Sequence, residues 1–185
     1  MKILNYLVII FICINPTVKA DSKKNLIAEL QKGGKLIFIR HAYAPGGGDP
    51  DNFDINDCST QRNLNGLGRK QAMNIGNYFK DNQIPIDKVI SSEWCRCKET
   101  ANIAFGKYQI KQFLNSFFSE KFSHNRTKQI KDLKRYIKNW KSDKNLVLVT
   151  HYVVISEALN YAPSSGEIVI SNIRLKKIGN IEIEY

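Results

Sequence analysis

The sequence contains no internal repeat, no low-complexity block and no long linker rich in proline or serine. These absences favour a single folded domain. Its basic residues show neither zinc-finger spacing nor a motif interleaved with aromatic residues, so nucleic acid is not an expected partner. Acidic residues are in the minority, with 17 against 28 lysines and arginines.

Residues 1–20 have the pattern of a secretory signal peptide. A positively charged start precedes an almost wholly apolar stretch over residues 3–14, and the triplet ending at Ala20 matches a small-x-small cleavage site. The apolar stretch is shorter than the roughly 20 residues that a membrane-spanning helix needs. We expect residues 21–185 to form one domain, periplasmic or secreted, with no stable membrane insertion after cleavage. Retention of the segment as an uncleaved anchor is the alternative.

Removal of Lys2 and Lys19 with this segment leaves 26 basic residues against 17 acidic ones, a net charge of +9. Such an excess suits anionic partners, including small phosphorylated substrates and an anionic envelope. Most of these cations are expected to be solvated surface residues.

Three cysteines follow the predicted cleavage site, namely Cys58, Cys95 and Cys97. In an exported protein two of them are expected to pair. Because Cys95 and Cys97 are too close for an easy mutual bridge, we predict a disulfide between Cys58 and either Cys95 or Cys97.

Apolar runs with the length of buried strands occupy residues 35–40, 86–91 and 146–150, and helical patterns alternate with them. Asn65 is expected to cap one of these helices, over residues 66–80. Near the end of the chain, short strands are predicted around residues 167–170, 173–176 and 181–185. The alternation predicts an α/β sandwich.

Two of these strands end in a histidine. The first delivers Arg40 and His41 into a long loop rich in glycine, aspartate and asparagine, and the third ends at His151. The carboxyl ends of the strands of an open α/β sheet are where its ligands bind. Arg96 falls in the first turn of a predicted helix, where the macrodipole disfavours a cation unless an anion lies beside it.

Together these groups predict a pocket for a phosphoryl group. Guanidinium groups match its oxygens with a planar fork, and a neutral imidazole can attack phosphorus. Neighbouring cations lower the pKa of such an imidazole and so keep it neutral.

The motifs resemble those of the histidine phosphatase superfamily, the phosphoglycerate-mutase-like proteins. The resemblance covers residues 35–167, and four segments carry it in the family's order: Arg40-His41-Ala42, residues 64–72, residues 91–101 and Val149-Thr150-His151. It implies a three-layer sandwich, with a mostly parallel sheet and helices on both faces.

The resemblance also implies roles for individual residues. His41 would form a phosphohistidine, and Arg40, Arg96 and His151 would hold the phosphoryl oxygens. No metal and no cofactor are implied. The expected reaction is phosphomonoester hydrolysis in two displacements, by an exported, metal-independent enzyme.

The sequence departs from the family pattern in three features: Ala42, Glu93 in place of a proline, and the acid that protonates the leaving group, which has no clear counterpart. Ala42 replaces a glycine, which would cost about 1 kcal/mol if that position had a positive φ. Glu120 is the candidate for this acid, with Asp57 as the alternative. Arg62 and Gln61 are also expected to contribute to the rim of the pocket.

Two other interpretations stay open on the sequence. The protein could be a non-catalytic relative that binds phosphoryl ligands but lacks an efficient acid. A metal site could instead form from Cys95, Cys97, His41 and His151, although Cys-x-Cys is unlike common zinc spacing and the adjacent arginines repel a cation.

Overall fold

The structure is a computed structural model that describes residues 16–185, with side chains from residue 24 onward. Residues 1–15, most of the predicted signal peptide, lie outside the described residues, so that assignment stays a prediction. Within the described part, no helix combines the length and the apolar character needed to cross a membrane.

The described chain contains six α-helices, six strands and two short 3-10 helices, Cys58–Thr60 and Gln112–Leu114. The helices are α1 (Pro16–Lys32), α2 (Gly66–Asp81), α3 (Cys95–Phe105), α4 (Glu120–Ser123), α5 (Arg126–Asn139) and α6 (Tyr152–Leu159). The strands are β1 (Leu36–Arg40), β2 (Ile86–Ser91), β3 (Gln109–Ile110), β4 (Asn145–Thr150), β5 (Ile168–Ser171) and β6 (Lys177–Ile181).

The strands form one sheet in the order β3-β2-β4-β1-β5-β6. Three pairings, β2 with β3, β2 with β4 and β1 with β4, are parallel, whereas β5 is antiparallel to both β1 and β6. The predicted mostly parallel sheet is therefore confirmed. The functional loops leave from the carboxyl ends of the parallel strands at its centre.

Side chains of β1 alternate between two hydrophobic cores. Ile37 and Ile39 pack into the core that includes residues from α1, α2 and α3, while Leu36 and Phe38 pack into the core that includes residues from α5 and α6. Because all four side chains are fully buried, helices cover the sheet on both faces, as the three-layer arrangement requires.

Two of the predicted strands near the end of the chain are wrong. Residues 173–176 form a turn rather than a strand, because the side chain of Asn172 accepts hydrogen bonds from the backbone of Arg174 and Lys176. The last strand is β6 (Lys177–Ile181), which ends at the residue where the predicted strand began.

Candidate active site

The central parallel strands β1, β2 and β4 end at the same edge of the sheet. Arg40 pairs with Thr150 across β1 and β4, and the backbone N–H of His41 donates to the carbonyl of Thr150 at 2.9 Å. On the other side of β4, the backbone N–H of Ser92 also bonds to that strand. These hydrogen bonds bring the residues that follow the strands, including His151, to one place.

The buried imidazole of His41 has a different partner on each nitrogen. Nδ1 lies 2.9 Å from the carbonyl oxygen of Ala42, and Nε2 accepts from Nε–H of Arg96 at 3.2 Å. A carbonyl needs a donor and a guanidinium always donates, so the proton is on Nδ1 and the lone pair on Nε2. Burial, and then the charge of Arg96, lowers the pKa of His41 well below its usual 6.5. The ring is therefore neutral at pH 7, and its Nε2 lone pair, which accepts from Arg96, faces the guanidinium group.

His151 is buried edge-on against His41, with the ring centroids 5.5 Å apart. Its Nε2 lies 2.9 Å from Oγ of Ser92 and 3.5 Å from Sγ of Cys97, while its Nδ1 lies 3.5 Å from Nη2 of Arg96. Burial, followed by the charge of Arg96, lowers the pKa of His151 well below 6.5. Ser92 thus fixes the ring with its Nδ1 edge toward the guanidinium.

Arg96 forms a two-point ion pair with Asp49. Its Nη1 lies 2.6 Å from Oδ1 and its Nη2 lies 3.2 Å from Oδ2 of that carboxylate, and Nε1–H of Trp94 donates to Oδ2 at 3.0 Å. The sequence analysis missed Asp49. It is one of four aspartates in the irregular loop 42–64, and no spacing or motif sets it apart from the others.

Arg40 and Arg62 add two further guanidinium groups. Nη1 of Arg40 donates to the carbonyl of Pro163 at 2.9 Å, and Nη1 of Arg62 donates to the carbonyl of Ala44. The buried Nε of each has no hydrogen-bond partner among the residues that the structure describes. Since an unsatisfied buried donor costs about 1–3 kcal/mol, two of them beside one cavity indicate an anionic ligand.

His41, His151 and the three arginines line a cavity of about 710 Å³. Aromatic side chains form much of its remaining wall: Tyr43, Phe53, Trp94, Phe118, Phe122 and Tyr152. A larger cavity of about 1270 Å³ lies over α5 and contains none of these histidines or arginines. The smaller cavity is therefore the candidate active site.

Three of the four residues suggested for the acid role or the rim do not line this cavity. Glu120 is exposed at the start of α4 and is not among the lining residues. Asp57 is also exposed, and its side chain accepts from the backbone and hydroxyl of Ser59. Gln61 is buried, but it donates to loop carbonyls and accepts from the backbone of Cys95 at 2.9 Å. Gln61 therefore braces the loop, whereas Arg62 does line the cavity.

A disulfide joins Cys58 to Cys95, with their Cα atoms 5.7 Å apart. Of the two pairings left open on the sequence, the structure has the one with Cys95. Cys97 is a buried free thiol, and burial raises its pKa to about 12. The alternative metal site is contradicted, because Cys95 cannot be a ligand while its sulfur is bonded to Cys58.

Ala42 is accommodated without backbone strain. It is absent from the non-glycine residues with positive φ, and its buried backbone N–H donates to Oγ1 of Thr100 at 3.0 Å. The missing glycine therefore does not distort the loop that follows His41.

Comparison with known proteins agrees with this geometry. The model of the histidine phosphatase superfamily (branch 1) matches residues 36–141. Among solved structures, a putative alpha-ribazole-5'-P phosphatase from Escherichia coli K-12 is 15% identical, with 83% of this chain and 97% of that chain covered and a TM-score of 0.57. Phosphoglycerate mutase from Thermus thermophilus is 14% identical, with 81% and 99% covered and a TM-score of 0.57. No curated protein sequence is significantly similar to this chain.

At this identity the solved structures show the fold alone. The family match covers more than half of the chain and includes Arg40, His41 and Arg96, which the fold places together with His151. The chain therefore belongs to the histidine phosphatase superfamily, branch 1.

Proposed function

We propose that this protein is an exported phosphomonoesterase that hydrolyses small phosphate esters through a phosphohistidine on His41. The observation that carries the proposal is the state of the His41 ring. It is buried and neutral, and its Nε2 lone pair lies within a cluster of three guanidinium groups. Such an arrangement suits attack on an anionic phosphoryl group, because the guanidinium groups stabilise the negative charge of its oxygens in the transition state.

The contacts support a separate chemical role for each of the residues around the cavity. Nε2 of His41 attacks phosphorus and the ester oxygen leaves, which gives a phosphohistidine and an alcohol. Arg40 and Arg62 bind phosphoryl oxygens together with Arg96, a role supported by the buried Nε–H of each, which has no partner among the described residues. Water then attacks phosphorus and restores the neutral ring. Hydrolysis rather than transfer to a second substrate is the outcome we propose.

Export is supported by two independent features. The first is the apolar segment over residues 3–14 with a small-x-small triplet ending at Ala20. The second is the Cys58–Cys95 disulfide, since such bonds persist in oxidising compartments. Mass spectrometry of the protein recovered from the periplasm or medium tests this, with Asp21 expected at the mature N-terminus. Recovery of the intact chain from the cytosol would contradict export.

Incubation of the mature protein with p-nitrophenyl phosphate, with and without EDTA, tests the activity. We expect turnover that EDTA does not change and that is lost in His41→Asn. A phosphoryl-binding relative without catalysis would bind orthophosphate but release no p-nitrophenol. A panel of phosphomonoesters would then define the substrate class.

A further inference from the structure

All five N–H groups of Arg96 are engaged within the protein. Nε–H bonds to Nε2 of His41. Nη1 bonds to Asp49 at 2.6 Å and to the carbonyl of Arg62 at 3.3 Å, and Nη2 bonds to Asp49 at 3.2 Å and to His151 at 3.5 Å. An arginine has five such donors and no more. A phosphoryl group can therefore bind Arg96 only by replacing one of these partners, and Asp49 is the only anion among them.

The carboxylate of Asp49 is held as an anionic ligand would be. It accepts two hydrogen bonds from Arg96, one from Nε1–H of Trp94 at 3.0 Å and one from the backbone N–H of Arg62 at 3.1 Å. Its side chain is only 17% exposed. Charge-assisted bonds of this kind are also the ones that a phosphoryl oxygen makes with arginine.

We propose that the phosphoryl group of the substrate displaces Asp49 from Arg96, and that the freed Asp49 is the proton donor to the leaving oxygen. This inference rests on the proposed phosphomonoesterase function. It assigns the role of acid to Asp49, because Glu120 and Asp57 do not line the cavity.

The chain next to Asp49 allows this movement. Gly46 and Gly48 both have positive φ, at +87° and +85°, and an added Cβ at Gly48 would meet no heavy atom within 4 Å. Glycine can change between such conformations at little steric cost. A small rotation in residues 46–48 would swing the carboxyl group away from Arg96 without moving β1 or α3.

Displacement also changes the proton affinity of the carboxyl group. Burial by itself raises the pKa of Asp49, but the hydrogen bonds and charge of Arg96, with the bonds from Trp94 and Arg62, outweigh it and lower the pKa. When a phosphoryl dianion binds Arg96 in place of Asp49, the Asp49 carboxylate loses its hydrogen bond from Arg96, which is the largest effect that lowers its pKa. The dianion also adds a negative charge beside it. The other titratable groups around it, His41, His151 and Cys97, are neutral before the ligand binds. Asp49 then binds a proton from solvent.

The two steps balance with Asp49 as acid and then base. Nε2 of His41 forms a bond to phosphorus, the P–O ester bond breaks, and the leaving oxygen takes the proton of Asp49 to give the alcohol. The Asp49 carboxylate then accepts a proton from water as its oxygen attacks phosphorus, and the electron pair of the broken N–P bond returns to His41. Orthophosphate leaves, and Asp49, after losing its proton, pairs with Arg96 again.

Anion binding tests the displacement without turnover. Sulfate is a tetrahedral dianion that does not itself titrate between pH 5 and 8. Calorimetry in buffers of different ionisation enthalpy should show about one more proton taken up per sulfate bound by the wild type than by Asp49→Asn. The variant should bind sulfate about tenfold or more tightly, because no carboxylate competes for Arg96. Unchanged affinity and unchanged proton uptake would overturn the displacement.

Kinetics on two substrates test the acid role. Asp49→Asn should lower kcat/KM for glycerol phosphate by about 10²–10⁴-fold, but for p-nitrophenyl phosphate by less than about tenfold, since p-nitrophenolate leaves without a proton. Asp54→Asn makes the same charge change at an exposed position of the same loop that does not line the cavity, and it should match the wild type. Equal losses on both substrates, or a selective loss in Glu120→Gln instead, would overturn the assignment.

Two controls distinguish a failure of the acid role from misfolding of the loop and from a failure of the proposed function. Thermal unfolding of Asp49→Asn and of Asp49→Glu checks that the loop still folds, and Asp49→Glu, which keeps a carboxyl group, should retain more glycerol phosphate activity than Asp49→Asn. If the wild type hydrolysed neither substrate and formed no phosphohistidine, the proposed function would fail and the acid role with it. The sulfate measurements would still decide whether Asp49 is displaced.

Discussion

Nε–H of Arg96 donates to Nε2 of His41 at 3.2 Å, so the side chain that is to bind the phosphoryl group also points at the nucleophilic lone pair. The same bond, with the Nδ1 contact to Ala42, fixes the tautomer of His41. The buried guanidinium group of Arg96 is therefore expected both to bind the phosphoryl group and to orient the ring of His41. We therefore expect the loss of either Arg96 or His41 to lower activity, because neither residue can replace the other.

His41→Asn should lower turnover of p-nitrophenyl phosphate by about 10³-fold or more, because no other group in the cavity replaces its Nε2. Rapid quenching followed by intact mass measurement should detect a phosphorylated wild-type enzyme and none in the variant. His124→Asn, an exposed histidine at the end of α4, is the matched control and should behave as the wild type. Near-normal turnover by His41→Asn would contradict its assignment as nucleophile.

Arg96→Lys should lower kcat/KM by about 100-fold or more, equivalent to about 3 kcal/mol of transition-state stabilisation. Lysine keeps the positive charge beside Asp49 but lacks the planar fork that reaches His41, Asp49 and His151 together. The control is Arg69→Lys, an exposed position paired with Glu99. A loss below about tenfold in steady-state kinetics would show that the fork geometry is unimportant.

Replacement of both cysteines of the disulfide, as Cys58→Ser with Cys95→Ser, should lower the free energy of unfolding by about 4 kcal/mol, from the separation of 37 residues. The bond ties the loop that carries Asp49 and Arg62 to the start of α3, so kcat/KM should fall as well. Dithiothreitol should destabilise the wild type in urea titrations but leave the double variant unchanged. Three free thiols in the untreated wild type would refute the bond.

Stability should fall as the pH is lowered from 7.5 to 5.5. His41 and His151 have pKa values well below 6.5 in the folded state, so below about pH 6.5 the unfolded chain binds protons that the folded protein does not. Each buried histidine then contributes a slope of up to about 1.4 kcal/mol per pH unit, with stability rising with pH. Asp49, whose pKa is lowered, loses its contribution only in a more acidic range.

Urea titrations across this pH interval measure the slope. His41→Asn should flatten it, whereas His124→Asn should leave it unchanged. A slope in His41→Asn equal to that of the wild type would show that the difference in bound protons does not come from His41.

The local features of the fold were predictable from the sequence. The apolar run of β1 has a length and composition that only a buried strand suits, and Asn65 caps α2 as predicted, its side chain accepting from the backbone N–H of Gly68 at 2.9 Å. Strand ends also placed His41 and His151 correctly, because parallel strands deliver their carboxyl ends to one edge. The turn over residues 173–176 was not predicted, because its apolar residues have the pattern of a short strand and the hydrogen bonds of the Asn172 side chain are not visible in that pattern.

The sequence by itself determined the central strands and the longer helices, with Arg40, His41 and His151 at strand ends and Arg96 in the first turn of a helix, since these follow from periodicity, caps and motifs that act over a few residues. Only the tertiary structure decided that Cys95 and not Cys97 meets Cys58, and that Asp49 and not Glu120 enters the cavity. Those outcomes depend on the path of an irregular loop that brings Asp49 to Arg96 across 47 residues. A loop without a repeating pattern leaves no periodic signal, and its course is fixed by contacts with the completed fold.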